Sequence, residues 1–320
     1  MRFTGNLGKI KDLAYHYKEK VQGFPVLHRY FQRYNQYPLK LWYPETNNEH
    51  IVHKMVFDRN PLLVLTSDKV KVRDYVRQVL GHQQAEEILI PAFHISRTGR
   101  DFPDSIWKEE FFMKANHGSG MNLLVQPGDD RQQVYKLAQE WLSVSYGQEY
   151  HSWAYRDIPR RIICEKVIRD RQGKIPMDIK LYCFHGKVKM VLFYKDRFET
   201  PCRIFSDQFL NPIPGVQTNM DMMDQVPQYP AFPKMLTIAE KLAKPFTYAR
   251  IDLYSVEDKV FFGEITHYTG AGIEKLDSYE IDLALGLLWK KENIHKNLSE
   301  CREEIQSTKT RNIPASPQLF

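Results

Sequence analysis

The sequence predicts an α+β fold built on antiparallel strand pairs with amphipathic helices packed between them. Three observations lead there. Phe111 to Val125 reads as two apolar, strand-like runs around a Gly118-Ser119-Gly120 loop. Residues 161–205 read as a succession of strands, and residues 246–267 as a second hairpin. Three further stretches repeat their apolar residues at helical spacing: Val72, Tyr75, Val76 and Val79; Val134, Leu137, Ala138, Trp141 and Leu142; and Met235, Ile238, Ala239 and Leu242.

In chain order, residues 1–50 mix basic side chains with Tyr15, Tyr17, Tyr30, Phe31, Tyr34, Tyr37, Trp42 and Tyr43. Leu27, Tyr30, Phe31 and Tyr34 predict a short amphipathic helix. The aromatics either pack this segment onto the main body, which is the commoner use, or form a sugar-stacking surface. Pro61, in Phe57-Asp58-Arg59-Asn60-Pro61-Leu62-Leu63, argues for a turn. Ser67 or Asp68 is placed to cap the helix that Gly81 ends, and Lys69 and Arg73, four apart, share another face of it, usually a solvated one. A short strand is expected over Ile88 to Ile95. Asp129 and Gln132 have the spacing of a capping box ahead of a helix that stops near Gly147.

Strands are expected over Arg161 to Ile168, Asp178 to His185, Lys187 to Tyr194 after a turn at Gly186, and Phe198 to Phe205. Glu165 interrupts the first of these. A carboxylate there is either on the wet face of an edge strand or aimed at a specific partner. Residues 206–232 hold several prolines and methionines without periodicity and read as a long loop, a common form for a functional lid. Pro233 opens a helix and Pro245 closes it. The polar residues after about 298 are expected to be disordered.

Two places carry chemistry. At the first hairpin, Lys114 precedes the Gly118-Ser119-Gly120 loop. Backbone amides approach a phosphate closely where side chains are absent, and an ammonium supplies the counter-charge, although such a loop is also simply a turn. In the second hairpin, with Asp258 at the centre of a Glu257-Asp258-Lys259 turn, Asp252 lies across from Glu264 and Arg250 across from Thr266. Two facing carboxylates repel unless a cation screens them, so they are either exposed acids on a wet face or the ligands of a metal. Mg²⁺ suits such a pair, because it binds through one or two carboxylates together with water and substrate phosphates. Arg250 beside them is placed to hold a phosphoryl group. The two hairpins are complementary halves of a phosphoryl-transfer site.

Composition narrows the alternatives. The 320 residues are 42% apolar and 26% charged, the balance of a globular protein. A net charge of +6 suits an anionic substrate and is too small to argue for nucleic acid. No apolar run approaches the roughly 20 residues of a membrane-spanning helix, and residues 1–10 are too polar for a secretory signal, so a cytoplasmic location is expected. Cys164, Cys183, Cys202 and Cys301 form no metal-like pair and read as reduced core thiols. A Gly-x-x-x-x-Gly-Lys-Ser/Thr loop, the paired kinase motifs, a Gly-x-Ser-x-Gly elbow and a His-Glu-x-x-His helix are all missing from the sequence.

An ordered series of motifs runs from residue 57 to residue 266: Phe57 to Leu63, Asp68-Lys69, Lys114-Ala115-Asn116-His117-Gly118-Ser119-Gly120, Glu165-Lys166, Asp178-Ile179-Lys180, Arg250-Ile251-Asp252-Leu253-Tyr254 and Gly263-Glu264-Ile265-Thr266. In this the chain resembles the ATP-grasp superfamily, and within it the TupA-like branch associated with teichuronopeptide and capsular polysaccharide synthesis. The resemblance implies two lobes whose antiparallel sheets sandwich ATP. It implies an N-terminal helical and aromatic segment over 1–55, an N-terminal lobe with the glycine-rich loop over 56–164, a C-terminal lobe with the metal site over 165–298 and a polar tail over 299–320.

By that resemblance Lys69 and Lys114 bind the α- and β-phosphates, and Gly118, Ser119 and Gly120 close over them. Glu165, Lys166, Val167 and Ile168 form the hinge against adenine, Asp178 meets the ribose and Lys180 lies near the γ-phosphate. Asp252 and Glu264 hold Mg²⁺, with Thr266 where many ATP-grasp ligases carry an asparagine ligand. Arg250 stabilises the transferred phosphoryl group. The implied chemistry is ATP-dependent ligation of a carboxylate to an amine through an acylphosphate, joining an amino acid to a uronic-acid carboxylate of an acidic glycan or its precursor, in association with polysaccharide assembly enzymes. His267 to Gly272 would bound the acceptor pocket, and Arg197 and Arg203 are candidates for holding the substrate carboxylate. A phosphotransferase acting on a hydroxyl, and a glycan-binding protein without activity, are the alternatives. Retention of Lys114, Arg250, Asp252 and Glu264 together weighs against the last.

Overall fold

A computed structural model describes residues 17–147, 151–195 and 200–311 of the chain. These fall into two compact units, one holding residues up to Trp42, Ile51–Arg169 and His267–Lys275, the other Tyr43–His50, Asp170–Thr266 and the residues from Leu276 on. No helix among the described residues is long and apolar enough to cross a membrane.

In the first unit, α1 (Pro25–Asn35) buries Leu27 and Phe31, as its spacing predicts. Next comes α2 (Asn47–Phe57), a helix the sequence reading missed, whose first turn lies in the Tyr43–His50 stretch counted with the other unit. Its start carries a reciprocal cap. Thr46 Oγ1 accepts the Glu49 N–H at 3.2 Å and Glu49 Oε2 accepts the Thr46 N–H at 3.0 Å. Pro61 does end helical continuity but also opens α3 (Pro61–Ser67), where its missing N–H costs nothing and Asn60 Oδ1 accepts from Leu62 N at 3.0 Å. Then follow α4 (Val72–Leu80) and, straight after Gly81, α5 (His82–Ile88). Because α5 takes Ile88, the strand expected from that residue begins later, as β1 (Ala92–Ser96).

The glycine hairpin forms β2 (Phe111–Ala115) and β3 (Asn122–Val125). Between them and β4 (Ile162–Lys166) lie α6 (Arg131–Ser143) and the single turn α7 (Trp153–Arg156). The cap of α6 is Asp130, whose carboxylate accepts from Gln132 N at 2.8 Å; Asp129, the expected cap, instead accepts from Gln126 N at 2.8 Å. The four strands make an antiparallel sheet in the order β1-β4-β2-β3. Phe111, Met113 and Ala115 on one face of β2 join Trp107, Val134, Ala138 and Cys164 in a single apolar core. Strand alternation therefore sends Phe112 and Lys114 to the opposite face.

The second unit is a six-stranded sheet of β5 (Asp178–Phe184), β6 (Lys187–Lys195), β7 (Cys202–Ser206), β8 (Asp221–Met222), β9 (Tyr248–Val256) and β10 (Lys259–Thr266), in the order β10-β9-β5-β6-β7-β8. It is antiparallel except for the short parallel β7–β8 pair, in which β8 lies inside the segment expected to be a loop. His185 and Gly186, with φ of 50° and 73°, turn β5 into β6. Helix α8 (Phe232–Ala243) buries Met235, Ile238, Ala239 and Leu242 against β5, β6 and β9.

Helix α9 (Tyr279–Leu287) presents a buried Asp282 that accepts both the backbone and side-chain N–H of Asn48 at 2.9 Å. The expectation of disorder from residue 299 fails for α10 (Leu298–Arg311). Asn297 and Glu300 cap each other's backbone amides, and Leu298 and Cys301 are buried. Residues 312–320 lie outside the described part. All four cysteines are free thiols; burial pushes Cys164 up to about 12 and Cys301 up to about 11, so both are neutral core groups.

Candidate functional site

In the first unit the face of β2 opposite the core carries Lys114, whose Nζ donates to Glu165 Oε2 at 2.8 Å and lies 5.5 Å from the centre of the Phe112 ring. Glu165 sits on the neighbouring strand across from Phe112, and Arg73 approaches its other oxygen at 3.5 Å. Of the two readings left open for Glu165, the structure thus shows the aimed one: a buried carboxylate between two cations. Arg73 is not part of a solvated basic face, since its guanidinium also donates to Ile90 O at 2.8 Å. Nor does it share a helix face with Lys69, which precedes α4 in the turn begun by Asp68.

That turn is bound to the glycine loop. The Lys69 backbone N–H donates to Asn116 O at 3.1 Å and its Nζ to Gly118 O at 2.7 Å. Asp68 Oδ1 accepts from Val70 N at 2.8 Å, from Lys71 N at 3.3 Å and from Asn116 Nδ2 at 2.8 Å. Asn116 also donates to Pro159 O at 3.0 Å and accepts from Arg161 N at 2.7 Å, so one buried amide ties three segments together. His117 is buried beside it, with Nε2 3.2 Å from Val144 O, and burial lowers its pKa so that it is neutral at pH 7. Asp68, Asn116 and His117 belong to the quoted motifs, but their locking role was invisible because their partners lie up to 48 residues away.

The glycines of the loop have separate reasons. A Cβ on Gly118 would run into the Met121 Cε and lie 2.7 Å from the Tyr146 ring, so this position is glycine because two side chains rest on it. Gly120 has φ of 76° with open space around it, and Ser119 beside it is exposed. Beyond Glu165, Lys166 is exposed with its N–H bonded to Pro91 O at 2.9 Å, Val167 is buried and Ile168 is half-buried.

In the second unit Lys180, Asp252 and Glu264 stand in one row across β5, β9 and β10, and Tyr182, Arg250 and Thr266 in the next. Asp178, two residues before Lys180, is buried on the same side of β5. The register expected at Asp252–Glu264 is present, but it arises differently. The turn is a two-residue one, Glu257 and Asp258, so the hairpin starts as Val256–Lys259 and Leu253–Phe262, and a bulge at Gly263 then shifts the pairing by one. A Cβ on Gly263 would sit 2.9 Å from Asp252 O, so the bulge requires glycine.

The Asp252 carboxylate is buried and accepts Arg250 Nε and Nη2 at 2.7 Å each and Lys180 Nζ at 2.9 Å. Arg250 Nη2 also reaches Thr266 Oγ1 at 3.2 Å and Glu264 Oε1 at 3.8 Å, and Thr266 Oγ1 donates to Glu264 Oε1 at 3.3 Å. Burial works against the Arg250 charge, but Asp252 outweighs it and holds the guanidinium well above its ordinary range. Within these two rows, two cations thus balance the carboxylates of Asp252 and Glu264.

As a test for Mg²⁺, the donors are all hard oxygens: two carboxylates and a hydroxyl. Among the described residues no group of three or more His, Cys, Asp or Glu side chains is gathered to hold a metal alone. That set fits an ion completed by water and substrate phosphates. Arg203, considered for the substrate carboxylate, is buried and donates to Gln217 Oε1 at 2.6 Å and to Asn219; Arg197 lies outside the described residues. After β10, His267, Tyr268 and Thr269 are buried, with His267 Nε2 2.7 Å from Thr66 Oγ1.

A family model described as TupA-like ATP-grasp matches residues 49–290. Among solved structures, D-alanine–D-alanine ligase from Bacillus anthracis complexed with ATP is 13% identical with a TM-score of 0.39, over 77% of this chain and 66% of that one. The ATP-grasp ligase PsnB, complexed with a phosphomimetic variant of its minimal precursor, Mg and ADP, is 11% identical with a TM-score of 0.39, over 72% and 61%. N5-carboxyaminoimidazole ribonucleotide synthetase from Thermus thermophilus is 12% identical with a TM-score of 0.36, over 63% and 45%. The chain therefore spans less than two thirds of the length of each of these three. No curated protein matches it. With the family match covering most of the sequence and every motif from Asp58 to Thr266, the chain belongs to the TupA-like ATP-grasp family.

Proposed function

We propose that this chain is an ATP-dependent carboxylate–amine ligase that joins an amino acid to a uronic-acid carboxylate of an acidic glycan, through an acylphosphate. The observation that supports it most is the row Lys180–Asp252–Glu264 with Arg250 beside it, a charge-balanced set of hard oxygens and cations on one sheet face. Ligation of this kind needs charge neutralisation and positioning rather than a covalent nucleophile, and the set supplies both.

In this reading Asp252 and Glu264, with Thr266, hold Mg²⁺, which when bound neutralises charge on the ATP phosphates. Arg250 and Lys180 turn from Asp252 toward the γ-phosphoryl group. A substrate carboxylate oxygen attacks the γ-phosphorus and ADP departs; the amine nitrogen then attacks the acyl carbon, phosphate leaves, and the nitrogen gives up its proton. In the first unit Lys69 and Lys114 neutralise the α- and β-phosphates, Gly118, Ser119 and Gly120 offer backbone amides, Glu165 to Ile168 face the adenine, and Asp178 of the second unit meets the ribose. We place this reaction in the cytoplasm alongside the enzymes that assemble the polysaccharide. A phosphate-release screen of amino acids against uronic-acid glycans tests this. Release should require ATP, Mg²⁺, an acid and an amine together; release without an amine, or phosphate retained on the glycan, would overturn it.

A further inference from the structure

The first unit contains a cavity of about 420 Å³ that shares no residue with the candidate nucleotide set. Such a volume is in the range of small-ligand sites. Its walls include Phe24, Trp42, Phe57 and Trp153, and Lys20, Arg59 and Arg156 also line it, whereas the described residues of the lining include no carboxylate.

Trp42 is 61% exposed, an uncommon state for so large an apolar ring, yet it is held in place 4.9 Å from Phe57. Phe24 meets Phe57 edge-on at 6.2 Å, and the Trp42 and Phe57 rings are tilted by 37°. Rings set at such angles offer separate faces for a puckered ring and no parallel slot for a flat base. Arg59 lies 5.2 Å from the Trp153 ring, and its position is fixed by donation to Val56 O at 2.6 Å and Asp58 O at 3.2 Å. Both of those acceptors are neutral carbonyls, and the Asp58 carboxylate, which also acts on the Arg59 charge, is itself paired with Lys54. Arg156 has Asp157 at 3.3 Å, but both are solvent-exposed, and an exposed pair of that kind is weak.

We infer that this cavity binds an acidic saccharide, with Trp42 stacking on a sugar face and Arg59 and Arg156 receiving its carboxylate. The inference rests on the ligase reading for why the protein would need such a ligand, and it assigns the holding of the glycan to a place other than the reacting groups. It also gives a role to Lys20, Phe24 and Trp42, residues of the segment before residue 57 that the nucleotide chemistry does not use.

The test is calorimetric titration of the full chain, without ATP, with a hexuronate-containing disaccharide and with its carboxyl-reduced, neutral counterpart. The acidic form should bind at least tenfold more tightly than the neutral one. Trp42→Ala and Arg156→Glu, both at exposed positions, should each weaken it at least tenfold with an unchanged melting temperature. Equal affinity for the two sugars, wild-type affinity in both variants, or no binding at millimolar concentration would overturn the assignment. ATP-dependent phosphate release scores the ligase reading separately. If turnover occurs while both variants keep the wild-type KM for the acid, this cavity fails and the ligase stands. If the sugar binds here and no turnover is found with any amine, the reverse holds.

Discussion

Asp252→Asn keeps the shape of the side chain while removing the charge that Arg250 and Lys180 share. The wild-type carboxylate is 4% exposed and accepts three charge-assisted hydrogen bonds, two from a bidentate guanidinium. In the variant Arg250 would be left with Glu264 at 3.8 Å as its nearest carboxylate, and Lys180 would lose its ion pair. Breaking a buried pair from one side costs about 3–5 kcal/mol, which for a domain of ordinary size lowers the melting temperature by roughly 6–20 °C. Glu264→Gln is a different perturbation. That carboxylate is 33% exposed and its contact with Arg250 is long, so the loss should be below about 1 kcal/mol. Both variants should lose Mg²⁺-dependent ATP turnover, but only Asp252→Asn should melt early. Differential scanning calorimetry beside a coupled ADP assay reads both effects. Early melting of Glu264→Gln, or wild-type turnover in both variants, would refute the division between a metal-facing carboxylate that also holds two buried cations and one that faces the metal alone.

Lys114→Ala should weaken ATP binding at least tenfold by calorimetry while Arg73 still neutralises Glu165, and wild-type affinity would remove Lys114 from the phosphate set. Gly118→Ala should destabilise the first unit by about 1–3 kcal/mol, because a methyl group cannot fit beneath the Met121 and Tyr146 side chains. Urea unfolding of Gly118→Ala with and without the pair Met121→Ala and Tyr146→Ser checks this: the background lacking both side chains should recover most of the loss, and additive losses would contradict the packing explanation.

How much of this was legible beforehand varied with the range of the interaction. Helices α1, α4, α6 and α8 announced themselves through apolar spacing, and the β9–β10 hairpin through alternation. The cap of α6 fell one residue from its expected place because Asp129 and Asp130 are chemically equivalent and only their partners distinguish them. Helix α2 was missed although Thr46-Asn47-Asn48-Glu49 spells its reciprocal cap. Asp252 and Glu264 were placed opposite each other with the wrong turn centre; Gly263, a glycine inside a strand, was the readable mark of the bulge that restored the pairing. The locking of Asp68 to Asn116, and the pairing of Lys114 and Arg73 with Glu165, depend on segments brought together only by folding. No local pattern carries them. The tail misled for a related reason, since two buried side chains, Leu298 and Cys301, anchor a helix whose composition is otherwise polar.

The central claim is that a carboxylate oxygen attacks the γ-phosphorus of ATP. It is tested most directly with an acid substrate labelled with ¹⁸O in its carboxylate, turned over with ATP, Mg²⁺ and an amine, and followed by mass analysis of the released phosphate. The account predicts one ¹⁸O atom in each inorganic phosphate and one ¹⁸O remaining in the amide carbonyl. Unlabelled phosphate, or phosphate found on a substrate hydroxyl, would contradict it.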